Sequence, residues 1–181
     1  MRCHVFRNRG NQIKSPFPVS QPDLASESYE EFISRLHTIL DGDDPDLFFE
    51  AIEDVPVRWQ RKPEFLLIKT LGLLRAGDRD AAQQVLDEIE KTHPRFAPLY
   101  FYKASLYMED IFPAHVLRTI DKLHSLGRLD DESETALAEM ETIARELLQA
   151  LANELGVPYE KMEKASWYHE AAQEKLNAGQ W

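Results

Sequence analysis

Pro63 to Pro94, PEFLLIKTLGLLRAGDRDAAQQVLDEIEKTHP, reads as two helices folded back on one another. In the first half, Phe65, Leu66, Leu67, Ile68, Leu71, Leu73 and Leu74 make a broadly apolar helix. In the second, Ala82, Val85, Leu86 and Ile89 recur at the three-and-four spacing that gathers apolar side chains on one helical face. Between them the chain must reverse. Gly77, without a Cβ, can take the left-handed conformation that ends a helix, and the Asp78 carboxylate can accept the first free amides of the next one. Pro94 closes the unit, because its ring and missing N–H exclude it from a helix interior.

Two helices leave apolar faces uncovered, so the unit should recur. At a spacing of 34 residues Tyr29, Pro63 and Ala97 fall into one frame. Four columns stay apolar in that frame: Phe32, Leu66 and Tyr100; Ile39, Leu73 and Tyr107; Ile52, Leu86 and Ile120; Val55, Ile89 and Leu123. The unit resembles a tetratricopeptide repeat, a helix–turn–helix of about 34 residues. Gly77 to Ala82 matches that family's inter-helix turn, Ala82 its small residue at the helix crossing, and Pro94 its closing proline. The resemblance covers residues 29–128 as about three repeats and implies an all-α array of antiparallel helix pairs, an α-solenoid. The chain departs from the family pattern in two columns. Phe48 and Val116 occupy the crossing position, and Arg35, Lys69 and Lys103 stand where leucine is usual.

The resemblance also implies a function, that of a protein-binding scaffold whose first helices line a concave groove. Its groove columns carry over to Ile33, His37 and Leu40, to Leu67, Leu71 and Leu74, and to Phe101, Ser105 and Met108. Family members that hold the acidic tails of heat-shock chaperones use Lys, Asn and Arg there. These columns are mostly apolar, so that carboxylate clamp is absent, and the expected occupant is an apolar, extended or amphipathic segment of another protein. Arg35, Lys69 and Lys103 would form a basic column beside it. The expectation is an adaptor or chaperone-like protein. Against this stands a plainer reading, in which the same apolar residues are core or are covered by the C-terminal helices. Two other functional readings keep the fold: a constitutive subunit of a larger assembly, or an accessory or inhibitor domain acting on an enzyme.

Composition bounds these readings. A chain of 181 residues with seven glycines and no strongly alternating stretch is expected to be all-helical and long enough to bury a core. A formal charge of −11 disfavours nucleic acid and anionic lipid as partners. Cys3 is the single cysteine, so no disulfide framework is expected, and a reducing, cytoplasmic setting follows as the expectation. No run approaches the roughly 20 apolar residues of a membrane span.

Residues 1–28 differ from the rest. Arg2, Arg7, Arg9 and Lys14 meet no acid in the first 22 residues, and Pro16 and Pro18 mark a linker. This basic arm reads as a flexible tail, a docking segment for an acidic partner or for the protein's own body, or an organelle transit peptide. Ser28 and Glu31 have the spacing of a capping box. Asp41 to Asp46 fails the calcium-loop pattern, because Pro45 and Asp46 fall at its fifth and sixth positions, and reads instead as a helix start with Asp44 as cap. Arg58, Arg61 and Lys62 surround Trp59, either as a contact for an acidic segment or as solvated charges beside a packed ring.

From Asp131 the repeat frame is expected to fail. Glu132 to Leu155 carries Leu137, Met140, Ile143, Ala144, Leu147, Leu151 and Leu155 as one stripe, and a last helix carries Met162, Ala165, Trp167, Tyr168, Ala172 and Leu176. Residues 129–181 are thus two capping helices for the array, or a route to a homodimer or a partner helix. His115 and His124 read as surface or packing residues. His169 and Glu170 begin a zinc-protease motif that Gln173 breaks. With no phosphate loop, nucleophile elbow or convergent acid–base pair, no cofactor, metal or catalytic residue is assigned, and the expectation is that the chain is not an enzyme.

Overall fold

The computed structural model describes residues 27–42, 45–53, 55–177 and 179. The basic arm, apart from Glu27 and Ser28, lies outside the described residues, as do Cys3 and the proposed cap Asp44. Among the described residues there are nine helices and no strand: α1 (Tyr29–Leu40), α2 (Pro45–Glu53), α3 (Val57–Gln60), α4 (Pro63–Arg75), α5 (Arg79–Thr92), α6 (Ala97–Glu109), α7 (Pro113–Leu126), α8 (Asp131–Leu155) and α9 (Tyr159–Asn177). None of them is long and apolar enough to cross a membrane.

Local chemistry sets these boundaries. Ser28 Oγ accepts from the Glu31 amide at 3.2 Å and the Glu31 carboxylate accepts from the Ser28 amide at 2.9 Å, so the capping box is closed on both sides. Gly77 has φ +78°, and Asp78 accepts from the Ala81 amide at 3.1 Å, which together turn α4 into α5. Asp78→Ala should cost about 1 kcal/mol in urea unfolding. A loss of under half that would show the turn to be held by Gly77 and packing alone.

Helix starts recur. α1, α4 and α6 begin at Tyr29, Pro63 and Ala97, and α2, α5 and α7 begin at Pro45, Arg79 and Pro113, each series in steps of 34. The frame does not fail at Asp131, since α8 begins there, one further step on. What changes is length: α8 runs 25 residues where α6 runs 13. No glycine interrupts α8 until Gly156, whose left-handed φ of +65° ends it.

Two buried clusters hold the helices together. Phe32, Leu36, Phe48, Trp59, Phe65 and Ile68 join α1 to α4 at one end. Leu86, Ile89, Leu99, Ile120, Leu123, Leu137 and Leu148 continue the core from α5 to α8. Trp59 is packed rather than displayed, with ring centroids 5.6 Å from Tyr29 and 5.1 Å from Phe32. Its basic neighbours lie over these rings, Arg58 at 5.1 Å from Trp59 and Lys62 at 3.7 Å from Tyr29.

The C-terminal helices depart from the sequence reading. α8 packs on α6 and α7, and α9 packs on α7 and α8. The single stripe expected along α8 divides. Leu137, Ala144, Leu148 and Ala152 are buried, whereas Ile143, Leu151 and Leu155 are exposed. On α9 none of the expected apolar positions is fully buried: Ala165, Tyr168, Ala172 and Leu176 are exposed, Met162 and Trp167 are half-buried, with Arg118 of α7 over the Trp167 ring at 4.0 Å, and the buried residues are Ser166 and Glu170. A small residue allows close approach, and a carboxylate supplies polar bonds that an aliphatic stripe cannot.

Candidate functional site

The nine expected groove residues separate into two sets. His37, Leu40, Leu71 and Leu74 converge, with Asp41 and Arg75, around an open concavity of about 300 Å3 between the ends of α1 and α4. Ile33, Leu67, Phe101 and Met108 are half-buried against the two cores. Ser105 donates to the Phe101 carbonyl at 3.1 Å and lies 4.0 Å from the Met140 sulfur of α8. α8 therefore covers part of the third helix pair, while the junction of the first two stays open.

Arg35, Lys69 and Lys103 do not present three free charges. Arg35 makes a two-point pair with Glu27 at 2.9 and 3.0 Å and lies over the Phe32 ring. Lys103 is 7% exposed and turns toward α5, with Nζ 2.6 Å from Glu90 and 3.3 Å from Asp87. Burial opposes its charge, but the bond to Glu90 and the neighbouring Asp87 outweigh that and hold its pKa above the usual lysine value. Lys69 is half-buried on α4.

A second, larger concavity of about 920 Å3 lies between α5, α7 and the end of α9, with Lys103 and Tyr107 of α6 at its floor. Its far wall is the contact that seats α9. α7 opens with Phe112 and Pro113, neither of which offers a capping oxygen. The cap comes from α9. Glu170 accepts from the Ala114 amide at 3.2 Å, from the His115 amide at 2.8 Å and from His115 Nδ1 at 2.8 Å. A carboxylate at a helix N-terminus satisfies free amides and meets the positive end of the helix dipole.

Charge alternates through the rest of the cluster. His115 Nε2 lies 3.6 Å from Glu174, which also accepts from the Tyr107 hydroxyl at 2.9 Å. Burial disfavours the imidazolium, yet the bonds to Glu170 and Glu174 prevail and raise its pKa to about 9. The His115 bond draws Glu174 below the usual carboxylate range, against the opposing effect of burial. Burial first, and then Glu174, push the Tyr107 phenol upward. Every one of these groups is engaged by another, so the cluster works as a latch between α6, α7 and α9. Among the described residues, no group of three or more His, Cys, Asp or Glu is placed to hold a metal ion.

Of the two expectations for His115, surface or packing, the structure shows packing, with its ring buried against Tyr107 and Phe112, and its partner Glu170 had only the broken zinc motif to mark it. The signal was the uncapped start of α7. A helix that begins Phe-Pro, with no Ser, Thr, Asp or Asn before it, must find its acceptor elsewhere in the chain or leave amides unpaired. His124 remains exposed, 3.8 Å from Glu134. No family model, no curated protein and no solved structure matches this chain.

Proposed function

We propose that the protein is a helical-repeat scaffold of tetratricopeptide type, without catalytic activity of its own, that binds an apolar or amphipathic segment of another protein. The observation that carries this reading is the open concavity at the α1–α4 junction. There His37, Leu40, Leu71 and Leu74, from equivalent positions of successive first helices, meet around one recess. The regular recurrence of helix starts supports a repeat array. A recess with apolar walls and a few polar groups at its rim is the usual form of a site that takes a side chain or short segment.

The test should spare the core. Leu71 and Leu74 pack against the buried clusters as well as lining the recess, so substituting them would confuse binding with folding. His37 and Arg75 are exposed on its rim. The variant His37→Glu/Arg75→Glu, checked for unchanged helicity, should lose a specific protein captured by the full chain from native lysate, by about tenfold or more. Identical capture by the variant and the parent would remove the recess from the binding surface.

A further inference from the structure

We propose that the second half of α8 is a docking surface for a basic amphipathic helix of a partner protein. The inference rests on the scaffold reading but uses a different face. α6 and α8 start one repeat apart, and Met140 of α8 meets Ser105 of α6. α6 then ends at Glu109, while α8 continues to Leu155. Ile143, Leu147, Leu151 and Leu155 follow Met140 on the same side at three-and-four spacing, and there they run past the helix that Met140 packs on. Ile143, Leu151 and Leu155 are 45%, 39% and 64% exposed, and Leu147 is half-buried. The neighbouring strip, Ala144, Leu148 and Ala152, one residue on and about 100° round the helix, is already buried, so the apolar side of α8 is wide and covered along only one of its edges. From Ile143 to Leu155 the stripe spans roughly 18 Å at the α-helical rise, enough for about three turns of a partner helix.

Charge selects the occupant. Glu139 and Glu146 flank Ile143 at four residues before and three after, and Glu154 lies three after Leu151, so acids edge the stripe where helical neighbours fall. All three are exposed, and none of the ion pairs among the described residues involves them; the nearest, Arg145 with Glu141, is on the other side of the helix. An apolar seam with uncompensated carboxylates along its open edge fits a helix with a leucine-like face and lysine or arginine flanks. A second copy of this chain would bring the same carboxylates together, on a body of net charge −11.

The test uses the full chain and a fluorescein-labelled 14-residue peptide with leucines on one helical face and lysines on the other, followed by anisotropy. A glutamate-flanked peptide of the same pattern is the control. Because the substituted side chains are exposed, Ile143→Ser/Leu151→Ser/Leu155→Ser should keep the fold, as read by circular dichroism, and weaken the lysine peptide by about tenfold or more. Glu146→Gln/Glu154→Gln should weaken it severalfold and flatten its salt dependence. The glutamate peptide should bind far less tightly than the lysine one.

Equal binding by the triple-serine variant would reduce the lysine result to adhesion on an acidic body and overturn the proposal. So would a wild-type dimer by sedimentation that the triple-serine change abolishes, since a second copy would then hold the stripe. A version lacking residues 1–26 that binds the peptide about tenfold more tightly would assign the stripe to this chain's own N-terminal residues instead. His37→Glu/Arg75→Glu should leave the peptide affinity unchanged, which keeps failure of this surface distinct from failure of the α1–α4 recess.

Discussion

Glu170→Ala should destabilise the protein by about 3–5 kcal/mol, the range expected when one partner of a buried pair is removed and the other is left charged. The carboxylate is 3% exposed and accepts from two α7 amides and the His115 ring. Alanine removes all three bonds and leaves two α7 amides and the His115 ring without that acceptor. The loss should be local before it is global, because α9 holds few buried apolar side chains of its own. Hydrogen exchange should therefore quicken along α9 and in the first turn of α7 well before it does in α4 or α5. Glu170→Gln keeps one acceptor while removing the charge, and should fall between the two at about 1–3 kcal/mol. A cost under about 1 kcal/mol for alanine, with α9 exchange unchanged, would mean that the apolar contacts of α9 seat it without the latch.

The same cluster gives a pH dependence whose sign follows from His115. Its folded pKa of about 9 lies above the ordinary histidine value of 6.5. A raised value means that the folded state holds the proton more tightly, so the contribution is complete below about pH 6.5 and is lost as pH rises toward 9. Glu174, drawn downward, contributes in the opposite sense: its share is present above the usual carboxylate pKa and is lost as pH falls. The groups facing His115 are Glu170 and Glu174 from α9 and the Tyr107 ring from α6, whose centroid is 4.9 Å away. Unfolding between pH 6.5 and 9 should show a decline of about 1–2 kcal/mol after allowance for screening at the rim of the cleft. Glu170→Ala should reduce that decline. A wild-type stability flat over this window would place the imidazole outside the network.

Particular residues show how far the sequence could be read. The helix pairs were legible because their punctuation is local: Gly77, Asp78, the capping box at Ser28 and the prolines at 45, 63 and 113 act within one turn of themselves. The recess was half legible. His37, Leu40, Leu71 and Leu74 met as the frame implies, but Ser105 met α8, because the frame says nothing about how far a following helix extends. Of the latch, only the missing cap at the start of α7 was legible. Its bonds join residues 55 or more positions apart, and nothing near Glu170 marks it as the cap of a distant helix. Reading the α8 apolar residues as one stripe merged two adjacent strips: Leu137, Ala144, Leu148 and Ala152 face the core, while Ile143 and Leu151, one residue before Ala144 and Ala152, are turned about 100° away from it.

The crossing column, where Phe48 and Val116 depart from the small residue of the family pattern, leads to a second large effect. Gly72→Ala should destabilise the protein, although in an exposed helix interior the same change stabilises by about 1 kcal/mol through helix propensity. A Cβ on Gly72 would overlap the Phe48 ring, and that ring is fully buried, held edge-on by Phe49 at 5.5 Å between centroids. Overpacking of a closed core costs about 1–3 kcal/mol or more, so the steric penalty should exceed the propensity gain and reverse its sign. The frame explains why glycine is there. Phe48 and Gly72 correspond, one step on, to Ala82 and Leu106, both buried, so the order of large and small at these two positions is reversed there. Phe48→Leu should therefore relieve Gly72→Ala, with the double variant in urea unfolding more stable than the sum of the singles by about 1 kcal/mol or more. Additive losses, or a Gly72→Ala protein as stable as the parent, would show that the ring moves aside freely and that the crossing has slack.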